Sequence, residues 1–100
     1  MVRGCLMFAV QADGASVVSI EGLAESGRST RVAAAFEAHN ALQCGYCTPG
    51  MMASAPQYID GGGVPDRDAI RAHISGNCCR CTGYQAVVDA ICDVLTEQQT

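Results

Sequence analysis

The residues of this chain best suited to chemistry are its cysteines, seven of them in 100 residues. Cys44-Gly45-Tyr46-Cys47 make one cluster, and Cys78, Cys79 and Cys81 make another, each a few residues ahead of a helix start. Four thiolates drawn from two turns specify a metal centre, since zinc and iron-sulfur clusters both accept four cysteine ligands. A turn that leads into a helix suits such a ligand. Its unpaired N–H groups and the positive end of the helix dipole lower a cysteine pKa and donate to sulfur. Spacing leaves the second turn open. Aligning Cys47-Thr48-Pro49 with Cys81-Thr82-Gly83 sets Cys78 opposite Cys44 and gives two C-x-x-C pairs of a zinc type, whereas Cys79 with Cys81 gives C-x-C. A thiol-disulfide oxidoreductase would set its C-x-x-C after a strand, but the residues ahead of Cys44 read as helix, and the second turn would go unexplained. Cys92, one turn from Val88 on an apolar face, reads as core packing. His39 and His73 read as helix residues packed on a neighbour or turned to solvent, not as ligands. No nucleophile, paired carboxylates or substrate pocket is identifiable.

The elements that must hold these cysteines are mostly helices. Thr30 can cap a first helix running to about Leu42, with Val32, Phe36 and His39 on its inner face. Thr48 and Pro49 suit the cap and first turn of a second helix. Pro56 falls in its interior, so a kink or an early end is expected before Gly61-Gly62-Gly63. Asp66 caps a third helix carrying Ile70 and Ile74 and stopped by Gly76. Thr82 or Gly83 opens a fourth, whose stripe is Tyr84, Val88, Ile91 and Leu95, flanked by Val87 and Cys92. Ahead of these, Val17, Val18 and Ile20 follow the turn signal Asp13-Gly14 and read as a short β-strand ended by Gly22. One strand has no partner in this chain. The expectation is an all-α, four-helix domain over residues 25–100, two helical hairpins with the metal between their inter-helix turns, preceded by a remnant strand within residues 1–24.

Composition limits the functional class. Hydrophobic residues make up 49% of the chain, enough for a modest core that a bound metal would help to hold. The apolar run from Cys5 to Val10 is too short for a signal core and no segment can span a membrane, so a reducing, cytoplasmic setting is expected. A net charge of −4 argues against a nucleic-acid partner.

With these motifs assembled, the chain resembles the iron-sulfur small subunit of the molybdenum hydroxylases, the family of xanthine dehydrogenase, aldehyde oxidoreductase and aerobic carbon monoxide dehydrogenase. The resemblance rests on Ala41-Leu42-Gln43-Cys44-Gly45-Tyr46-Cys47-Thr48-Pro49-Gly50-Met51, on Ser75-Gly76-Asn77 and on Cys79-Arg80-Cys81-Thr82-Gly83-Tyr84. Cys5-Leu6, Gln11-Ala12-Asp13-Gly14 and Ile20-Glu21-Gly22-Leu23 extend it almost to the first residue.

The resemblance implies one 2Fe-2S cluster on Cys44, Cys47, Cys79 and Cys81. Where the family usually has an apolar residue this chain has Cys78, which is expected to be a buried substitute. In the family the cluster takes electrons from a molybdenum-pterin cofactor in a large catalytic subunit, and the carry-over makes Gln43 and Cys81 the pterin contacts. Read without the family, Gln43 is a polar residue at a helix end. The resemblance also implies a plant-type ferredoxin domain ahead of the helices, of which only the last ligand, Cys5, and the last strand are present. A fragment or a late-started reading frame is the expectation, with a split subunit as the other case. The partners implied are the molybdenum-binding catalytic subunit, an FAD-binding subunit or domain, and the missing ferredoxin domain. The competing class is a structural zinc module that stabilises a protein interface, and it would depend on Cys78 as much as on Cys79.

Overall fold

The stripe at Val88, Ile91 and Leu95 becomes the spine of the molecule. The computed structural model describes residues 1–99, and its last helix, α5, spans Gln85–Gln99. Val87, Val88, Ala90, Ile91, Val94 and Leu95 are all buried, so the helix is wrapped on more than one side. Two helices pack directly on it, α2 (Thr30–Ala38) and α4 (Arg67–Ile74). From α2 come Val32 and Phe36, and from α4 come Ile70 and Ile74. The remaining long helix, α3 (Thr48–Asp60), packs on both α2 and α4 and contributes Met51, Met52, Ala55 and Ile59. Each such side chain, fully buried, stabilises the fold by about 1.5–3 kcal/mol.

Helix ends follow from local chemistry. Asp66 caps α4 as expected, its carboxylate accepting from the Asp68 N–H at 3.2 Å. Ser29 holds the cap position of α2 and Thr30 is its first helical residue. That helix ends at Ala38, short of the expected Leu42, because Asn40 turns left-handed at φ 53°. The Asn40 N–H then reaches Glu37 O and the Ala41 N–H reaches Phe36 O, closing the helix and driving Ala41 into the core. Pro56 does not end α3, which continues to Asp60 with Pro56 buried inside it. Solvent-facing ion pairs such as Arg28 with Asp60 and Arg31 with Glu97 dress this core and contribute little to stability. His39 pairs with Asp93 at 2.5 Å, and His73 meets Ser54 O at 2.9 Å and the Tyr58 ring, so both histidines serve packing between helices.

The expected strand is absent among the described residues. Val17 and Val18 are exposed and unladdered, and Ile20 starts a short helix, α1 (Ile20–Glu25), that packs on α3 and buries Leu23. A strand needs a neighbour to satisfy its backbone; with none, Ser19 O instead accepts from the Leu23 N–H at 3.0 Å. The residues before it form two single 3₁₀ turns, Gly4–Leu6 and Ala9–Ala12, that leave Leu6, Phe8 and Val10 exposed. No helix among the described residues is long and apolar enough to cross a membrane.

Candidate metal centre

The closure of α2 at Asn40 and Ala41 delivers the chain into the first cysteine turn. Gly45 takes φ 82° there, a value glycine adopts at no steric cost, and the Tyr46 N–H points back at Cys44 Sγ at 3.5 Å. Cys47 is itself the cap residue of α3, one place earlier than expected, with its carbonyl accepting from the Met51 N–H. Its sulfur thus sits at the positive end of a 13-residue helix.

The second turn is built against the first. A Cβ on Gly50 would lie 2.9 Å from Asn77 Nδ2, so the opening of α3 accepts the approach to the second cysteines only because residue 50 lacks a side chain. Beyond Asn77, the neighbours Cys78 and Cys79 part company, Cys78 exposed and Cys79 buried. This corrects the expectation that Cys78 is a buried substitute. The Cys79 N–H donates to Tyr84 Oη at 2.9 Å, its Sγ lies 3.1 Å from Thr82 Oγ1, and the Tyr84 N–H donates to the same Thr82 oxygen at 3.1 Å. Gly83 and Tyr84 make this loop with φ 65° and 67°. For tyrosine this is an outlier, of the kind that surrounding contacts must hold in place.

The two turns meet through sulfur. Cys44 Sγ and Cys81 Sγ are 3.5 Å apart, and Gln43 bridges the same gap by donating from Nε2 to Cys81 O at 3.2 Å. Cys47 and Cys79 also act on one another across the turns. Burial, then the neighbouring Cys79 thiol, push the Cys47 pKa up. Burial also works to raise Cys79, but the Thr82 hydroxyl, the backbone N–H groups of Thr82 and Cys81, and the Cys47 thiol outweigh it and bring Cys79 down to about 7. Cys44 is lowered too, first by the Tyr46 N–H and then by the Cys81 thiol. Cys92 is half-buried against the core with its thiol toward Pro65 O, as its place on α5 suggested, and Cys5 is exposed.

Thiols of both turns together make a donor set of the kind that iron-sulfur clusters and zinc both take. Cys44 Sγ and Cys81 Sγ meet across the turns, close enough to share one metal atom, while among the described residues no group of three or more His, Cys, Asp or Glu side chains is gathered about a single point. A further sign lies at Thr48, whose Oγ1 is buried beside Cys47 without a hydrogen-bond partner, although its proximity lowers the Cys47 pKa. Thr48, Thr82 and Tyr84 read in the sequence as helix-start and stripe residues and as parts of the resembling motifs, with no role at the site assigned to them. A hydroxyl directly after a cysteine is the signal that could have placed the two threonines at the site.

Comparison with known proteins agrees with this geometry. The family model described as 2Fe-2S binding domain matches residues 19–92. The chain is 42% identical over 92 residues to the nicotine 6-hydroxylase small subunit of Paenarthrobacter nicotinovorans, covering 92% of this chain and 55% of the relative. To the xanthine dehydrogenase iron-sulfur-binding subunit of Escherichia coli O157:H7 it is 37% identical over 98 residues, covering 92% of this chain and 59% of the relative. The crystal structure of quinoline 2-oxidoreductase from Pseudomonas putida 86 superposes with a TM-score of 0.84 at 43% identity, covering 97% of this chain and 60% of that one. The chain thus spans a little over half the length of these relatives. This match over three quarters of its residues, and these relatives, place the chain in the 2Fe-2S binding domain family, that of the iron-sulfur small subunits of molybdenum hydroxylases and xanthine dehydrogenases.

Proposed function

We propose that the chain is an electron-transfer module of a molybdenum hydroxylase, holding one 2Fe-2S cluster on Cys44, Cys47, Cys79 and Cys81. The observation that carries this reading is the meeting of the two cysteine turns, where Cys44 Sγ lies 3.5 Å from Cys81 Sγ and the Cys47 and Cys79 thiols shift each other's pKa, so that these four thiolates would hold the cluster. When bound, the cluster supplies one-electron redox chemistry. The residues do the rest. Cys47 and Cys79 form the inner pair, shielded by the helices, while Cys44 and Cys81 form the exposed outer pair. Gln43 ties the two turns together at that outer edge, and Gln43 with Cys81 forms the contact for a molybdenum-pterin cofactor held by a catalytic subunit. Tyr46 is 93% exposed beside them, an aromatic surface for that subunit to cover and so keep water from the outer pair.

In this reading the two cysteine turns close two helical hairpins, α2–α3 and α4–α5, with the cluster between them. Residues 1–24 belong with a ferredoxin-like domain, and an FAD-binding subunit or domain receives the electrons. A cytoplasmic setting fits, because thiolate ligands persist where glutathione and thioredoxin keep them reduced. The test is iron, acid-labile sulfide and zinc content of the chain produced without oxygen. Two irons and two sulfides per chain are expected, falling to near none in Cys47→Ser. One zinc without sulfide would replace this reading with a structural zinc module.

A further inference from the structure

We infer that Thr82 is a positioning residue that sets the reduction potential of the centre by donating a hydrogen bond to the sulfur of Cys79. The inference rests on the ligand assignment proposed above and goes beyond it to a residue that is not a ligand. Its basis is a closed circuit of three hydrogen bonds. The Tyr84 N–H donates to Thr82 Oγ1 at 3.1 Å, Thr82 Oγ1 lies 3.1 Å from Cys79 Sγ, and the Cys79 N–H donates to Tyr84 Oη at 2.9 Å.

The direction of the middle bond follows from its neighbours. A backbone N–H can only donate, so Tyr84 occupies an acceptor site on the threonine oxygen and leaves its proton to point elsewhere. A cysteine that ligates a metal has no proton, so only Thr82 can donate across the 3.1 Å gap. The Cys79 amide is engaged with the Tyr84 phenol and is not free to serve a sulfur itself. Thr82 therefore supplies the hydroxyl donor at this thiolate, beside the backbone N–H groups of Thr82 and Cys81.

Two further features hold this circuit in place. Tyr84 is kept at φ 67°, an orientation that aims its N–H at Thr82, while its ring packs on the core and its carbonyl accepts the Val88 N–H of α5. The donor is thus fixed by the start of the central helix, and it is already oriented before any electron arrives. An added electron increases the negative charge on the ligand sulfurs, so a fixed O–H donor favours the reduced form over the oxidised one.

The experiment compares the anaerobically prepared full chain with Thr82→Val and Thr82→Ser, measuring iron and sulfide content and then the midpoint potential in a dithionite titration with mediators. Thr82→Val is expected to lower the equilibrium constant for one-electron reduction about tenfold, which is a fall of about 59 mV, while Thr82→Ser stays close to the unaltered chain. A Thr82→Val protein with full iron and an unchanged potential overturns the inference. So does one that loses its iron while Thr82→Ser keeps it, because the hydroxyl would then serve assembly and not potential. An unaltered chain without iron and sulfide would instead overturn the ligand assignment on which the inference rests.

Discussion

Cys78 and Cys79 are joined by one peptide bond and have opposite surroundings. The Cys79 amide is fastened to the Tyr84 phenol and its sulfur to Thr82, whereas Cys78 lies exposed. We therefore expect Cys78→Ser to keep its full iron and sulfide content and Cys79→Ser to lose most of it, measured side by side on anaerobic preparations. Loss in Cys78→Ser with retention in Cys79→Ser would return the second turn to the C-x-x-C reading. The sequence left these two cysteines undecided on spacing alone, and only the family resemblance favoured Cys79. The reason is physical. Which of two adjacent residues turns inward depends on the left-handed backbone at Gly83 and Tyr84, and nothing in the types or order of the cysteines encodes it. Gln43 likewise became a candidate only through the resemblance, since its link to Cys81 O across the two turns depends on tertiary approach.

Among the elements, apolar spacing located α2, α4 and α5, and the Thr48-Pro49 start signal located α3. Neither located α1. Val17, Val18 and Ile20 are β-branched and favour extended chain locally, yet no ladder partner is present among the described residues, and Ile20 packs with the core cluster from a short helix instead. Of the two outcomes expected at Pro56, the early end does not occur, and α3 carries the buried proline through to Asp60. Two substitutions test how firmly the elements are set. Asp66→Ala removes the cap of α4 and should cost about 1 kcal/mol in urea unfolding. Gly63→Ala drives a Cβ into the Tyr58 ring and to 2.6 Å from the Tyr58 carbonyl, disturbing the phenol that donates to Val64 O. Overpacking of this kind should cost about 1–3 kcal/mol in the same measurement.

At the scale of the whole molecule, the proposed metal centre borders the core through Cys79 and Cys47, while Cys44 and Cys81 lie outside it. The core is a continuous aliphatic cluster running from Val32 and Phe36 through Met51 and Ile70 to Ile91 and Leu95, and Cys79 is the one proposed ligand buried within it. Removing the metal by chelation under reducing conditions should leave most of the far-ultraviolet helical signal intact while amide exchange quickens at residues 42–48 and 77–84. Loss of the helical signal together with the metal would mean that the centre, and not the aliphatic core, holds the helices. The sequence had suggested a core in need of that help. The pairing of Cys44 with Cys81, 37 positions apart, also carries a consequence for biogenesis. A nascent chain presents two unconnected dithiols, each able to capture a stray soft ion with two sulfurs. Only after α4 has docked beside α3 do four thiolates face one another. Iron delivery must therefore wait for the helices, and copies that are slow to dock are the ones exposed to loading with the wrong metal.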